Sequence, residues 1–68
     1  MAKIKITLNE KDNDIEVSAS APKITSTTWV AKNRIEKYER GEIPNDPLKT
    51  AISCVRQEVE KYLVNKGN

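Results

Sequence analysis

The chain contains 68 residues, of which 37% are hydrophobic and 32% charged, and its formal net charge is +2. It has no His and one Cys, which excludes Ser-His and Cys-His catalytic pairs, His-ligated metal sites, multi-cysteine zinc sites and internal disulfides. This length accommodates one small domain, in which a deep substrate cleft would take up surface that the core needs. We therefore expect a protein that is not an enzyme, with no cofactor and no small-molecule substrate.

We expect neither a secretory signal nor a membrane span. The first residues lack the apolar run of about 7–15 residues that a secretory signal needs, and no stretch approaches the roughly 18 apolar residues of a membrane span. The single Cys54 fits a reducing compartment, where thiols stay free. We expect a cytoplasmic protein without membrane association.

Two strands are predicted in the first third of the chain. Apolar and polar residues alternate over 3–9 and again over 15–21, which is the period of half-buried strands. The polar run 10–14 between them is rich in turn-forming residues. The sequence thus predicts a β-hairpin over 3–21 with one apolar face. The apolar residues of that face are Ile4, Ile6, Leu8, Ile15 and Val17.

A connector at 22–26 and a first helix over 27–40 are predicted next. If Thr25 is the N-cap, Ile24 and Trp29 take the positions of a hydrophobic staple. The predicted helix then contributes a short apolar stripe to the core. The residues of that stripe are Ala31, Ile35 and Tyr38.

A turn at 41–46, beginning with Gly41, leads to a second predicted helix over 47–65. Asp46 is a good N-cap, and Pro47 suits the first helical position, where its missing N–H costs nothing. Apolar residues then recur at alternating spacings of four and three, which indicates an amphipathic helix. The residues of this stripe are Leu48, Ile52, Val55, Val59 and Tyr62.

These elements predict an α+β fold, a ββαα arrangement in which an N-terminal β-hairpin packs on two C-terminal helices. The whole chain, 1–68, forms one small domain in this prediction. Its core is thin, and domains of this size commonly have only about 3–5 kcal/mol of stability. A homodimer, which would thicken the core, stays open as an alternative.

Basic residues are concentrated on the first predicted helix and its approach. Five cations outnumber three carboxylates over 22–42. Amide and basic side chains on one helix face are the groups that contact phosphates and base edges in DNA. The candidate nucleic-acid-binding residues are Asn33, Arg34, Lys37 and Arg40.

The segment from Arg34 to Pro44 (RIEKYERGEIP), with the capped helix that begins at Pro47, resembles known DNA-binding proteins. It is similar to the recognition-helix end of phage-repressor-type helix-turn-helix proteins. The resemblance implies that Asn33, Arg34 and Lys37 face DNA. It favours a small DNA-binding regulator of the phage or plasmid kind.

The first predicted strand, KIKITL from Lys3 to Leu8, is similar to the strand of ribbon-helix-helix repressors. In that family the polar face of the strand enters the major groove. The resemblance implies that Lys3, Lys5 and Thr7 read DNA if a dimer pairs these strands. A helix follows the strand directly in that family, whereas a second predicted strand follows it here.

A protein-binding module is the alternative function, acting as an inhibitor or adaptor of a larger partner. An open hairpin edge invites strand addition, and Trp is common in interface hot spots. The candidate residues for this role are Trp29, Lys3, Lys5 and Thr7. The sequence leaves both classes of partner open.

The acidic run of Asp12, Asp14 and Glu16 has the alternation of a calcium-binding loop. It lacks the Gly and the distal Glu of that motif, and Asp-Asn-Asp is typical of hairpin turns. No metal site is predicted.

Overall fold

An antiparallel β-meander followed by two helices forms the chain in the computed structural model, which describes residues 3–67. The sheet has the strand order β1-β2-β3, and all its pairs are antiparallel. The predicted α+β class, with sheet first and two helices after it, is confirmed. The elements are β1 (Lys5–Lys11), β2 (Asp14–Ala21), β3 (Ile24–Ala31), α1 (Lys32–Glu39) and α2 (Pro47–Gly67).

Two-residue turns connect the three strands. Asp12 and Asn13 join β1 to β2, and Pro22 and Lys23 join β2 to β3. Asp12 has a φ of 44°, in the left-handed region that Asp tolerates better than most residues. The hairpin predicted over 3–21 is confirmed, with a turn shorter than predicted because β1 and β2 pair up to the residues that flank it.

The third strand corrects the sequence prediction, which assigned residues 22–26 to a connector and 27–40 to a helix. Residues 24–31 are rich in Ile, Thr, Val and Trp, which favour strands. Alternate positions point to opposite faces, so Val30 is buried while Trp29 is exposed. Thr25 lies inside β3 and caps no helix, and Trp29 belongs to a strand.

The first helix is a short element of eight residues that begins at Lys32, directly after β3. It ends at Glu39, one residue before the predicted end at 40, and Gly41 adopts a φ of 79° just after the C-cap. The Glu42 N–H donates to the Lys37 carbonyl at 2.8 Å, and the Gly41 N–H donates to the Tyr38 carbonyl at 3.0 Å. This pair of bonds is a Schellman motif, which satisfies carbonyls at the helix end.

The second helix begins as predicted. Asp46 Oδ1 accepts a hydrogen bond from the Leu48 N–H at 3.0 Å and lies 3.5 Å from the Lys49 N–H. Pro47 is buried at the first helical position. The helix extends to Gly67, two residues beyond the predicted end at 65.

The core lies between α2 and the adjoining face of the sheet. Ile35 of α1 packs against its border, whereas Tyr38 is exposed, contrary to its predicted place in the core. Val17 and Val59 are fully buried. The buried core residues are Val17, Ala19, Val30, Ala51, Val55 and Val59.

Strand β1 is left largely outside this core. The helix α2 packs against β2 and β3, because a helix about 10 Å wide spans two strands that are about 4.8 Å apart. Ile6 and Leu8 on the same side of the sheet are therefore 37% and 48% exposed. The prediction that both residues lie in the core is wrong, although Ile4 does pack against the core border.

Candidate functional site

The side of the sheet that faces away from α2 is an open surface, which we call the polar face. Val17, Ala19 and Val30 point to the opposite side and are buried, so residues of the other parity form this surface. The long helix α2 packs on the opposite side. Its residues are Lys5, Thr7, Asn9 and Lys11 on β1, Asp14, Glu16, Ser18 and Ser20 on β2, and Thr25, Thr27, Trp29 and Ala31 on β3.

The strand register arranges these residues in rows across the sheet. One row consists of Lys5, Ser20 and Thr25, and the next consists of Thr7, Ser18 and Thr27. The Ser18 and Thr27 hydroxyl oxygens are 3.1 Å apart and share a hydrogen bond. Neither row contains a carboxylate.

Two further lysines border this end of the polar face. Lys3 precedes β1, is exposed and continues the alternation toward the same side as Lys5. Lys23 is exposed in the turn between β2 and β3, which lies at the same end of the sheet. Lysines and hydroxyl groups therefore dominate this half of the surface, which we call the basic end.

Trp29 lies in the other half of the polar face. Its row contains Asn9 and Glu16, and its side chain is 58% exposed. The Glu16 carboxylate has two polar neighbours on β1: the Asn9 amide nitrogen at 3.5 Å and Lys11 Nζ at 3.9 Å. The acidic group beside Trp29 is thus partly neutralised.

A shallow groove of about 390 Å³ runs between the outer edge of β3 and the N-terminal half of α2. Trp29 and Arg34 both line it. Ala51 and the exposed Cys54 line it from α2. The sequence missed this groove because it placed Trp29 on the helix itself.

The four cationic and amide residues predicted on the first helix do not form one surface with the basic end. Asn33, Arg34 and Lys37 are exposed on α1, as the sequence predicts. Arg40 is the C-cap, and its Nε donates to Glu42 Oε2 at 2.7 Å, so a carboxylate offsets its charge.

The surroundings of α1 differ from those in either repressor family that the sequence resembles. Strand β3 leads directly into α1, whereas helices precede the recognition helix in the helix-turn-helix family. Strand β2 follows β1, where a helix follows the strand in the ribbon-helix-helix family. Lys3, Lys5 and Thr7 nevertheless lie on one exposed side of the sheet, together with Trp29.

The structure shows no group of three or more potential metal ligands among the described residues. No helix in residues 3–67 is both long and apolar enough to cross a lipid bilayer. Comparison with protein-family models, curated proteins and solved structures finds no match to this chain. The assignment of function therefore depends on the surface chemistry alone.

Proposed function

We propose that the chain is a small non-enzymatic nucleic-acid-binding protein, with DNA as its ligand and the polar face as its binding surface. The observation that carries the proposal is that Trp29 and Lys5 lie on the same side of the sheet, the side opposite α2, with Lys3 exposed just before β1. Proteins that bind single-stranded nucleic acid combine a basic groove along the backbone with exposed aromatic rings on which bases stack. The polar face carries both features, the lysines at one end and Trp29 in the other half.

Each part of the surface has a distinct role in this proposal. The lysines of the basic end neutralise phosphates, and the hydroxyls of Ser20, Thr25 and Thr27 donate hydrogen bonds to phosphate oxygens. Trp29 stacks on an unpaired base. Arg34 adds a cation to the groove that Trp29 also lines. Because stacking requires a base outside a duplex, single-stranded DNA is the preferred form of ligand.

Trp29 is the only Trp in the chain, so its fluorescence reports directly on the proposed site. We would titrate a mixed-sequence DNA oligonucleotide, first single-stranded and then as its duplex, at low salt. Saturable quenching that weakens steeply as salt is added indicates phosphate contacts. We expect tighter binding of the single strand, and no binding of either form would refute the proposal.

Two charge-reversal variants locate the surface. The double change Lys3→Glu and Lys5→Glu removes the basic end, whereas Lys37→Glu with Arg40→Glu makes the same change of charge on α1. We expect the first variant to lose binding and the second to retain most of it. The opposite result would assign the site to α1, as the sequence alone predicts.

The protein-binding alternative is favoured by one specific observation, the exposed apolar side chains of Ile6 and Leu8 on an edge strand. An edge strand has unpaired N–H and C=O groups that can pair with an added strand. Binding through this edge would depend on Ile6 and vary little with salt. An Ile6→Lys variant that binds DNA normally but loses a protein partner would identify this second function.

A further inference from the structure

The outer edge of β1 lacks a neighbour, and its apolar side lacks a cover. Within the described residues, β1 pairs only with β2, and α2 packs on β2 and β3. Ile6 and Leu8 remain exposed on the side of the sheet that holds the core. A second strand that pairs with this edge would form hydrogen bonds with its unpaired N–H and C=O groups. It would also extend the apolar side of the sheet.

The sequence of β1 fits a second copy of itself in antiparallel orientation. Side chains alternate between the faces, so the apolar sides of two copies coincide only if each residue opposes one of the same parity. Three such symmetric pairings have their centre between the second residue of β1 and its middle residue, Leu8. They are centred on Ile6, on Thr7 and on Leu8.

Charges distinguish these three registers. Centring on Leu8 places Lys5 opposite Lys11 and Ile6 opposite Glu10. Centring on Thr7 places Lys3 opposite Lys11 and Ile4 opposite Glu10. Like charges directly opposite each other destabilise a strand pair, and a carboxylate opposite Ile contributes no apolar contact.

Centring on Ile6 avoids both faults over residues 3–9. On the apolar side, Ile6 opposes its own copy and Ile4 opposes Leu8. On the polar side, Lys5 opposes Thr7 and Lys3 opposes Asn9. Every apolar residue then faces an apolar partner, and every lysine faces an uncharged polar one.

We propose that two copies of this chain dimerise through β1 in the register centred on Ile6. The product is a six-stranded antiparallel sheet with an α2 helix toward each end of one face. This inference goes beyond nucleic-acid binding and does not depend on it. It has one consequence for that role: the basic ends of the two polar faces become neighbours at the two-fold axis.

Sedimentation equilibrium of the full chain, without nucleic acid, tests the proposal. We expect twice the 7.7 kDa chain mass at submillimolar concentration. Ile6→Lys places two lysines opposite each other, so we expect the dissociation constant to rise about tenfold or more. Val64→Lys is the matched control, because Val64 is 75% exposed on α2 and lies away from the edge. It should leave the dissociation constant unchanged.

Cross-linking tests the register without depending on the lysine variant. In a Cys54→Ser background, Ile6→Cys places two thiols opposite each other at the axis. Leu8→Cys separates them by four residues along the strands, or about 14 Å. A bis-maleimide shorter than that separation should link Ile6→Cys chains and leave Leu8→Cys chains unlinked.

Each result has a defined meaning. A chain that stays at 7.7 kDa at every concentration overturns the proposal and leaves DNA binding untouched. A dimer that Ile6→Lys does not weaken overturns it as well, since the interface then lies elsewhere. Cross-linking of Leu8→Cys in place of Ile6→Cys overturns the register.

Discussion

Lys32 Nζ lies 2.7 Å from Glu10 Oε2, which joins the first residue of α1 to the edge strand β1. The two elements otherwise make few contacts with each other. The hydrogen bond and the positive charge of Lys32 hold the pKa of the Glu10 carboxyl below its ordinary value of 4.5. The pair is therefore a link between α1 and β1 that acid can break.

Replacement of Glu10 by Gln should change how stability depends on pH. The pKa of Glu10 is lower in the folded chain, so the ion pair stabilises the fold above pH 4.5 and is lost as the pH falls through the folded pKa. The gain is small because the pair is exposed. We would measure the free energy of unfolding in urea, with Trp29 fluorescence as the signal. At neutral pH it should be larger for wild type than for Glu10→Gln, and the difference should vanish in acid.

Glu58→Gln provides the control for that measurement, since it removes the same charge from an exposed position on α2. If the free energies of unfolding of wild type and Glu10→Gln differ by the same amount at neutral and acidic pH, the Lys32–Glu10 ion pair is not the source of the difference.

Removal of the α2 cap should destabilise the whole domain. Asp46→Ala deletes the acceptor of the Leu48 N–H, and loss of an N-cap costs about 0.5–2 kcal/mol. For a domain of this size, each 1 kcal/mol corresponds to a Tm change of about 4–8 °C. Thermal unfolding by circular dichroism measures the loss. Asp46→Asn should recover most of it, and an Asp46→Ala variant as stable as wild type would show that the cap is unimportant.

Truncation of the core should cost more than truncation of the surface. Val59 is fully buried against the sheet, so Val59→Ala removes buried methyl groups and leaves a cavity, at a cost of about 2 kcal/mol. That is a large part of the roughly 3–5 kcal/mol typical of such small domains. Val64→Ala is the same change at an exposed position on the same helix, and its effect on urea unfolding should be close to zero. Equal effects would mean that α2 packs differently.

Amide hydrogen exchange should distinguish the two edge strands. Strand β1 has β2 on one side and no helix over it, whereas β3 is also an edge strand but packs against α2. Regions with few buried apolar contacts open locally at low free-energy cost. By NMR at low concentration, the β1 amides should therefore exchange faster than those of β3. Equal protection of the two strands would contradict this.

The sequence predicts those elements whose local pattern has one physical explanation. The alternation over 3–9 and 15–21 has the period of a strand, and the Asp46-Pro47 pair marks a helix start. The structure confirms both. The segment 24–31 misleads because its Thr and Ser residues resemble a polar connector. Ile24 and Trp29 fit both a hydrophobic staple and a strand. The segment forms a strand because β2 is available to pair with it.

Burial of β1 could not be predicted in the same way. The alternation of Ile6 and Leu8 indicates which side of the strand is apolar, but it does not say whether a helix reaches that strand. Because β3 is present, α2 packs on β2 and β3 and leaves β1 largely uncovered. The polar face was equally hidden, because Lys5 and Trp29 lie on the same side of the sheet only when β1 and β3 flank the same β2.

The two-residue turns have a consequence for the order of folding. Each strand meets its neighbour in the sheet immediately along the chain, so closing these loops costs little entropy. Hairpins of this kind form in about 1–10 μs, long before a typical domain completes its packing. The contacts of α2 with the sheet are mainly with β2 and β3. The edge proposed to bind a partner thus belongs to the strand that α2 covers least.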